Sequence, residues 1–224
     1  MKNSVYPRHR AAAALACLLA ALGLSIVRLT ANASQTALTA DEDRRLTAGE
    51  VLVRLVPTPG GGPEEGVATG VVDAPPERVF AALTDFAHYQ EWVPFVERSD
   101  AHPEADGSVV SAQSLHLPLL VGDRSYKIRA VSTVAAVSDL SPGKGGKVWS
   151  LRWSYVPGSG NVVDTRGSWT VTGFGTGRSL ATCHLFTDPG SVLRWAMHRT
   201  TGQSLAWIFK GLRQQVMRDR YRKL

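Results

Sequence analysis

The chain has 224 residues, 44% of them hydrophobic, with a formal net charge of +6 and two cysteines. That is enough apolar material for one well-packed domain, and no composition shift marks a second. The charge excludes little and indicates no nucleic acid: four Lys/Arg and no acid fall within residues 1–33, and beyond them 21 basic residues face 19 acidic ones.

Residues 1–33 have the three parts of a signal peptide. Lys2, Arg8 and Arg10 make a basic start, Ala11 to Ile26 an apolar run, and Ala31-Asn32-Ala33 a small-residue cleavage site before Ser34. The expected destination is the periplasm or the extracellular space. A retained membrane anchor is the alternative, but the run falls short of the roughly 20 residues a bilayer requires, and Arg28 interrupts it. A lipoprotein reading through Cys17 has too few apolar residues ahead of the cysteine. Cys17 leaves with the leader, so Cys183 remains alone. The mature chain then has no internal disulfide, and Cys183 is expected to act as a small buried apolar group.

Residues 34–65 read as an N-terminal extension. Thr39-Ala40-Asp41-Glu42 has the form of a capping box, which predicts a short helix to Ala48 stopped by Gly49, with a strand over Val51 to Val56. The Pro57 to Pro63 stretch is a loop. Residues 66–224 form the main domain, beginning with a strand over Gly66 to Val72. Pro75 or Pro76 opens a helix, because proline at the first turn sacrifices no intrahelical bond, and Asp73 is placed to cap it. Within it Val79, Phe80, Leu83 and Phe86 recur at helical spacing. A second short helix ends at the aromatic Trp92 before Pro94.

From Val109 the chain reads as strands separated by turn chemistry: Val109 to Leu119, Arg124 to Val134, Lys147 to Val156, Asp164 to Gly173 and Arg178 to Phe186. The short connections leave no room for crossover helices, so an antiparallel sheet is expected. After Asp188-Pro189-Gly190 a helical stretch from about Ser191 to Tyr221 carries the stripe Leu205, Ile208, Phe209, Leu212 and Val216, with Gly202 as a kink or a break.

The order strand, helix pair, antiparallel strands, long helix resembles the START-like or polyketide cyclase/dehydrase superfamily, also called SRPBCC. Val71 to Phe86 with Tyr89, Trp92 and Pro94 carry the opening of that pattern. Trp149 to Gly160, Gly167-Ser168-Trp169 and Asp188-Pro189-Gly190 are similar to segments of its lipid-binding branch. The resemblance implies an α+β helix-grip fold, in which a curved antiparallel sheet wraps a long C-terminal helix around an apolar cavity. One departure is visible: Ser191-Val192-Leu193-Arg194 lacks the second proline that commonly follows Asp-Pro-Gly.

Candidate ligand-binding residues follow. Trp149, Leu151, Trp153 and Tyr155 alternate with Ser150, Arg152 and Ser154, so they share one face, expected to point at the helix and to wall a cavity on the order of 300–1,000 Å³. Tyr126 shares its strand face with Arg124, which is either a solvent-edge cation or the polar handle for a ligand head. Trp92, Trp169, Met197, Leu205 and Phe209 complete the set. No catalytic residue, metal site or cofactor is assigned: the six histidines lack metal-ligand spacing, and neither His116 nor His184 belongs to a recognisable acid–base pair. Gly202-Gln203-Ser204-Leu205-Ala206 lies in a helical stripe, unlike a nucleophile elbow. Gly173 to Gly177 joins two strands and is a hairpin.

The function expected from these residues is binding or carriage of a hydrophobic small molecule: a lipid, isoprenoid or sterol-like compound. Two alternatives use the same cavity. One is a cyclase or dehydratase acting on a polyketide, and the other is a module delivering lipid or quinone to a membrane protein. Lys210, Arg213, Arg218, Arg220, Arg222 and Lys223 make the C-terminus basic, either as a solvated helix end or for peripheral contact with an anionic membrane.

Overall fold

A computed structural model describes residues 38–60, 62–117, 122–137, 146–190 and 194–223, the side chains of 194–201 excepted. The leader, Cys17 and the side chain of Met197 lie outside the described residues. Eight strands form one sheet in the order β1-β2-β8-β7-β6-β5-β4-β3, every neighbouring pair antiparallel. They are β1 (Val51–Val56), β2 (Glu65–Val72), β3 (Val96–Pro103), β4 (Val109–Leu117), β5 (Gly122–Val137), β6 (Gly146–Tyr155), β7 (Asp164–Gly173) and β8 (Ser179–Asp188). From β3 to β8 the strands follow in chain order, as short hairpin connections dictate. The helices are α1 (Ala40–Thr47), α2 (Pro76–Thr84), a 3₁₀ helix over Phe86–Glu91, α3 (Arg194–Gln215) and a short α4 (Asp219–Arg222). The helix-grip fold expected from the sequence is present.

The capping box at α1 forms as read: the Thr39 hydroxyl accepts from the Glu42 N–H, and the Glu42 carboxylate accepts from the Thr39 N–H. Pro76 lies in the first turn of α2, but Asp73 does not cap it. The N-cap is Pro75, with no side-chain bond. The Ser179 hydroxyl instead donates to the Ala74 carbonyl at 2.6 Å, tying the turn to β8.

β3 is the strand the sequence reading missed. Val96–Pro103 is rich in charged and polar residues, and only Val96 and Ser99 of it are buried, so it lacks the apolar face that marks a strand. Its position explains this: β3 is a sheet edge, where charge blunts pairing with another chain. It follows directly on Phe95, whose φ of 66° ends the turn over 92–95, and a register shift separates Val96 from Arg98. At the other edge, β1 from the N-terminal extension is hydrogen-bonded to β2.

α3 runs through Gly202 without the expected break, and a turn over 216–218 separates it from α4. Leu205, Phe209, Leu212 and Val216 are fully buried or nearly so, the stripe the periodicity predicts. Phe209 seats over Gly70 of β2, where an added Cβ would lie 2.8 Å from the ring, and its ring centroid is 5.4 Å from that of Trp169. Gly211 lets α3 press on the end of the 3₁₀ helix: a Cβ there would sit 2.2 Å from the carbonyl oxygen of Trp92. Arg213 fastens the far side, donating from Nε to the Val71 carbonyl and from a terminal nitrogen to that of Gly49.

The basic C-terminus is engaged where a free cationic end was expected. Arg218 and Arg220 both reach the Glu91 carboxylate at 3.0 Å, and Gln215 donates to it at 3.4 Å. The Tyr221 hydroxyl donates to Asp85 at 2.7 Å, and Asp85 also pairs with His88. Burial pushes the Glu91 carboxyl up, but the hydrogen bonds from Arg220 and Gln215 and the two guanidinium charges outweigh it, leaving Glu91 below the usual carboxylate range. Its native value therefore lies below its unfolded one, so the clasp stabilises above the ordinary carboxylate range and its contribution disappears as pH falls through the native value. With both arginines partly exposed, Glu91→Gln is expected to cost about 1 kcal/mol or less at neutral pH. Urea midpoints across an acid series check this: the gap between wild type and variant should close as pH falls.

Candidate functional site: an apolar cavity beneath the C-terminal helix

The cavity lies between the sheet, the 3₁₀ helix and α3, with a volume of about 180 Å³. The 3₁₀ helix contributes Phe86 and Tyr89, and Trp92 follows it, their rings stacked edge-to-face or tilted with centroids 4.9 and 5.1 Å apart. Tyr89 is held by its hydroxyl, which donates to the Leu83 carbonyl at 2.5 Å, and burial raises its pKa. Strand alternation then delivers one inward row from each strand: Gln113, Leu115 and Leu117 from β4, Arg124, Tyr126 and Ile128 from β5, and Cys183, Leu185 and Thr187 from β8. Trp153 of β6 and Trp169 of β7 close the floor, and α3 adds Ser204 and Ile208.

Of the residues singled out from sequence, Trp92, Arg124, Tyr126, Trp153 and Trp169 border this space together. Trp149, Leu151, Tyr155, Leu205 and Phe209 do not. Trp149 and Leu151 share the inward face of β6 with Trp153, as alternation requires, but α2 packs on β6 and β7 and buries that end of the face as solid core. Tyr155 sits at the strand end with its hydroxyl 3.5 Å from the Gly160 carbonyl. On α3, Leu205 and Phe209 are completely buried against β2 and its neighbours, and the adjacent row, Ser204 and Ile208, meets the cavity. His116 and His184 face away from the cavity, but each has an acidic partner that the sequence did not reveal: they pair with Asp123 and Glu65, each at 2.7 Å, the second across more than a hundred residues of chain.

The volume is smaller than the sequence suggests, and the tryptophans are the reason. β6 and β7 pair Trp153 with Gly167, and the indole lies across that glycine: a Cβ at 167 would be 2.3 Å from Trp153 Cζ2. The aromatic area counted as wall also occupies space. What remains is predominantly apolar, with few polar groups. Tyr126 donates to Gln113 Oε1 at 3.2 Å, and burial pushes its pKa up to about 12, so the phenol stays protonated. Thr165 and Thr187 bond each other at 3.1 Å, and burial raises the Cys183 thiol. Cys183 was read correctly as buried and apolar; its place in the wall follows from the β8 alternation Cys183, Leu185, Thr187. Among the described residues, Arg124 is the only charged side chain bordering the cavity, and no cluster of His, Cys, Asp and Glu suited to a metal is found.

With this geometry, comparison with known proteins is informative. The family described as polyketide cyclase / dehydrase and lipid transport matches residues 72–198. Among solved structures, the chain is similar to a STAR-related lipid transfer protein from Xanthomonas axonopodis, at 19% identity and a TM-score of 0.63 over 75% of this chain and 94% of that one. It is also similar to human StAR-related lipid transfer protein 5, at 15% identity and a TM-score of 0.60 over 75% and 82%. The ZhuI aromatase/cyclase from a Streptomyces species shares 14% identity and a TM-score of 0.50 over 68% and 92%. No curated protein sequence matches the chain. At these identities the structures speak for the fold alone, and the family match, which spans more than half the chain, carries the assignment: the protein belongs to the polyketide cyclase / dehydrase and lipid transport family, with its START-like, hydrophobic ligand-binding fold.

Proposed function

We propose that the protein binds and carries a hydrophobic small molecule, a lipid, isoprenoid or sterol-like compound, outside the cytoplasm after removal of residues 1–33. The observation that carries this reading is the apolar cavity itself: a packed helix-grip core has no reason to leave about 180 Å³ unfilled between Trp92, Trp153, Trp169 and Ile208. Binding is then burial. An apolar guest gains roughly 25 cal/mol for each Å² of apolar surface removed from water, and the Gln113–Tyr126 and Thr165–Thr187 pairs, already satisfied by each other, oppose it little.

Carriage is favoured over cyclase or dehydratase chemistry by the state of the polar groups. Tyr126 is held protonated and bonded to Gln113, and the two strand histidines point elsewhere, so among the described residues no base is presented to a guest. Contact with anionic membrane through the C-terminus draws on fewer cations than the sequence implies, since Arg218 and Arg220 are occupied by Glu91.

Trp153→Ala tests the site. The variant should weaken binding of the neutral fluorophore N-phenylnaphthylamine by about ten-fold, through loss of aromatic contact worth about 1 kcal/mol or more. A titration read from the probe's own emission measures it, and unchanged affinity in a folded variant would place binding elsewhere.

A further inference from the structure

We infer that the guest is a single-chain acidic amphiphile whose carboxylate is held by Arg124, an inference that rests on the cavity being the binding site. Arg124 stands on the inward row of β5, opposite Leu115 of β4, and borders two spaces at once: the apolar cavity and a polar cleft lined by Glu97, Ser114, Asp123, Ser125 and Asn161. An amphiphile lying across that boundary would have its tail among the aromatic rings and its head at the guanidinium.

The guanidinium is underused as the protein stands. One terminal nitrogen donates to the Asp123 backbone carbonyl at 2.8 Å, while Nε is buried with no acceptor, and no carboxylate lies within ion-pair distance among the described residues. The two acids of the cleft lie near His116 instead. Asp123 accepts from His116 Nδ1 at 2.7 Å, and the charges of Asp123 and Glu97 both raise the His116 pKa. A buried guanidinium nitrogen without an acceptor is costly, and a planar carboxylate is the partner its fork fits.

The rest of the wall agrees in sign. The second buried polar atom without a partner on the cavity residues is also a donor, Trp92 Nε1, on a side chain 8% exposed. Among the described residues no Asp or Glu borders the apolar cavity itself, and the two acids of the cleft lie near His116, so the free guanidinium nitrogen favours a carboxylate head over an amine. Size decides between sources of the negative charge: about 180 Å³ lies below the 300–1,000 Å³ of pockets that take drug-sized ligands, which leaves no room for a two-chain phospholipid and suits a single chain.

The test compares decanoate, methyl decanoate and decylamine by calorimetric titration at neutral pH, on wild type, Arg124→Gln and Arg124→Lys. Wild type should bind decanoate about ten-fold more tightly than the ester, the size of one hydrogen bond to a charged group, and the amine most weakly. Arg124→Gln should bring the ratio of acid to ester affinity close to one, and Arg124→Lys should restore part of the preference through charge without the fork. Equal binding of acid and ester by wild type overturns the inference, whatever the variants do, and so does a preference that survives in Arg124→Gln. If decanoate, its ester and N-phenylnaphthylamine all fail to bind wild type, the cavity reading falls and the inference with it; binding without discrimination sinks the inference alone.

Discussion

Phe209→Ala is expected to cost about 3–5 kcal/mol of stability, the range for deleting a buried aromatic ring, and to be the most damaging single truncation among the described side chains of α3. Phe209 is completely buried, lies against Trp169, and fills the space that Gly70 leaves on β2. Neither neighbour can close the gap. Gly70 has no side chain to extend, and Trp169 is a buried residue of β7 that also borders the ligand cavity. The loss is therefore lost transfer free energy plus a cavity, with little relaxation. Because a domain of this size has only about 5–15 kcal/mol in total, the thermal midpoint should fall by many degrees. Calorimetric unfolding of the two proteins checks the value. A cost below about 1 kcal/mol would mean that α3 is not the cover of the sheet.

Gly211→Ala is expected to destabilise, against the usual sign. In an exposed helix interior, replacing glycine with alanine stabilises by about 0.5–1 kcal/mol through backbone entropy. Here the new Cβ would be 2.2 Å from the Trp92 carbonyl oxygen, and the obstacle is backbone, so no rotamer change relieves it. Either α3 lifts or the end of the 3₁₀ helix shifts, at a typical overpacking cost of about 1–3 kcal/mol, which exceeds the propensity gain. Trp92 is part of the cavity wall, so ligand affinity should fall along with the denaturation midpoint. Gly202→Ala is the internal control: the nearest atom to its Cβ would be Val53 Cγ1 at 3.8 Å, an ordinary contact, and there the propensity gain should prevail.

The contrast between these two glycines shows what sequence can and cannot convey. Gly202 and Gly211 look alike in a helical stripe, and Gly202, the one that drew attention as a kink or a break, lies within a continuous helix. Local chemistry was legible: the Thr39 capping box, the proline start of α2, and the alternation of Trp149, Leu151 and Trp153 on β6 all depend on neighbours in the chain. Properties set by distant partners were not. β3 lacks an apolar face because it is an edge. Asp73 is a plausible cap by position, yet the turn is held from β8 by Ser179. Arg218 and Arg220 read as a solvated cluster because their partner, Glu91, is more than a hundred residues away in the chain.

The same limit applies to the site. Periodicity identifies which face of α3 is apolar, but Leu205 and Phe209 differ from Ser204 and Ile208 by one residue of rotation, about 100° on a helix. Only the sheet opposite decides which row is core and which meets the cavity. Similarly, Trp149 and Trp153 share a face, and the packing of α2 on β6 separates them. Gln113, Leu115 and Cys183 carried a usable signal, alternation on strands flanking the aromatic ones, and could have been assigned to the wall once the strand order was known.

The central claim, that the space beneath α3 is a binding site, is tested most directly by titrating delipidated wild-type protein with N-phenylnaphthylamine while following both probe and tryptophan emission. Saturable binding is expected, with a blue-shifted probe and altered tryptophan emission, competed by long-chain or isoprenoid compounds. Well-folded protein that leaves the probe in water, with its tryptophan emission unchanged, would contradict it.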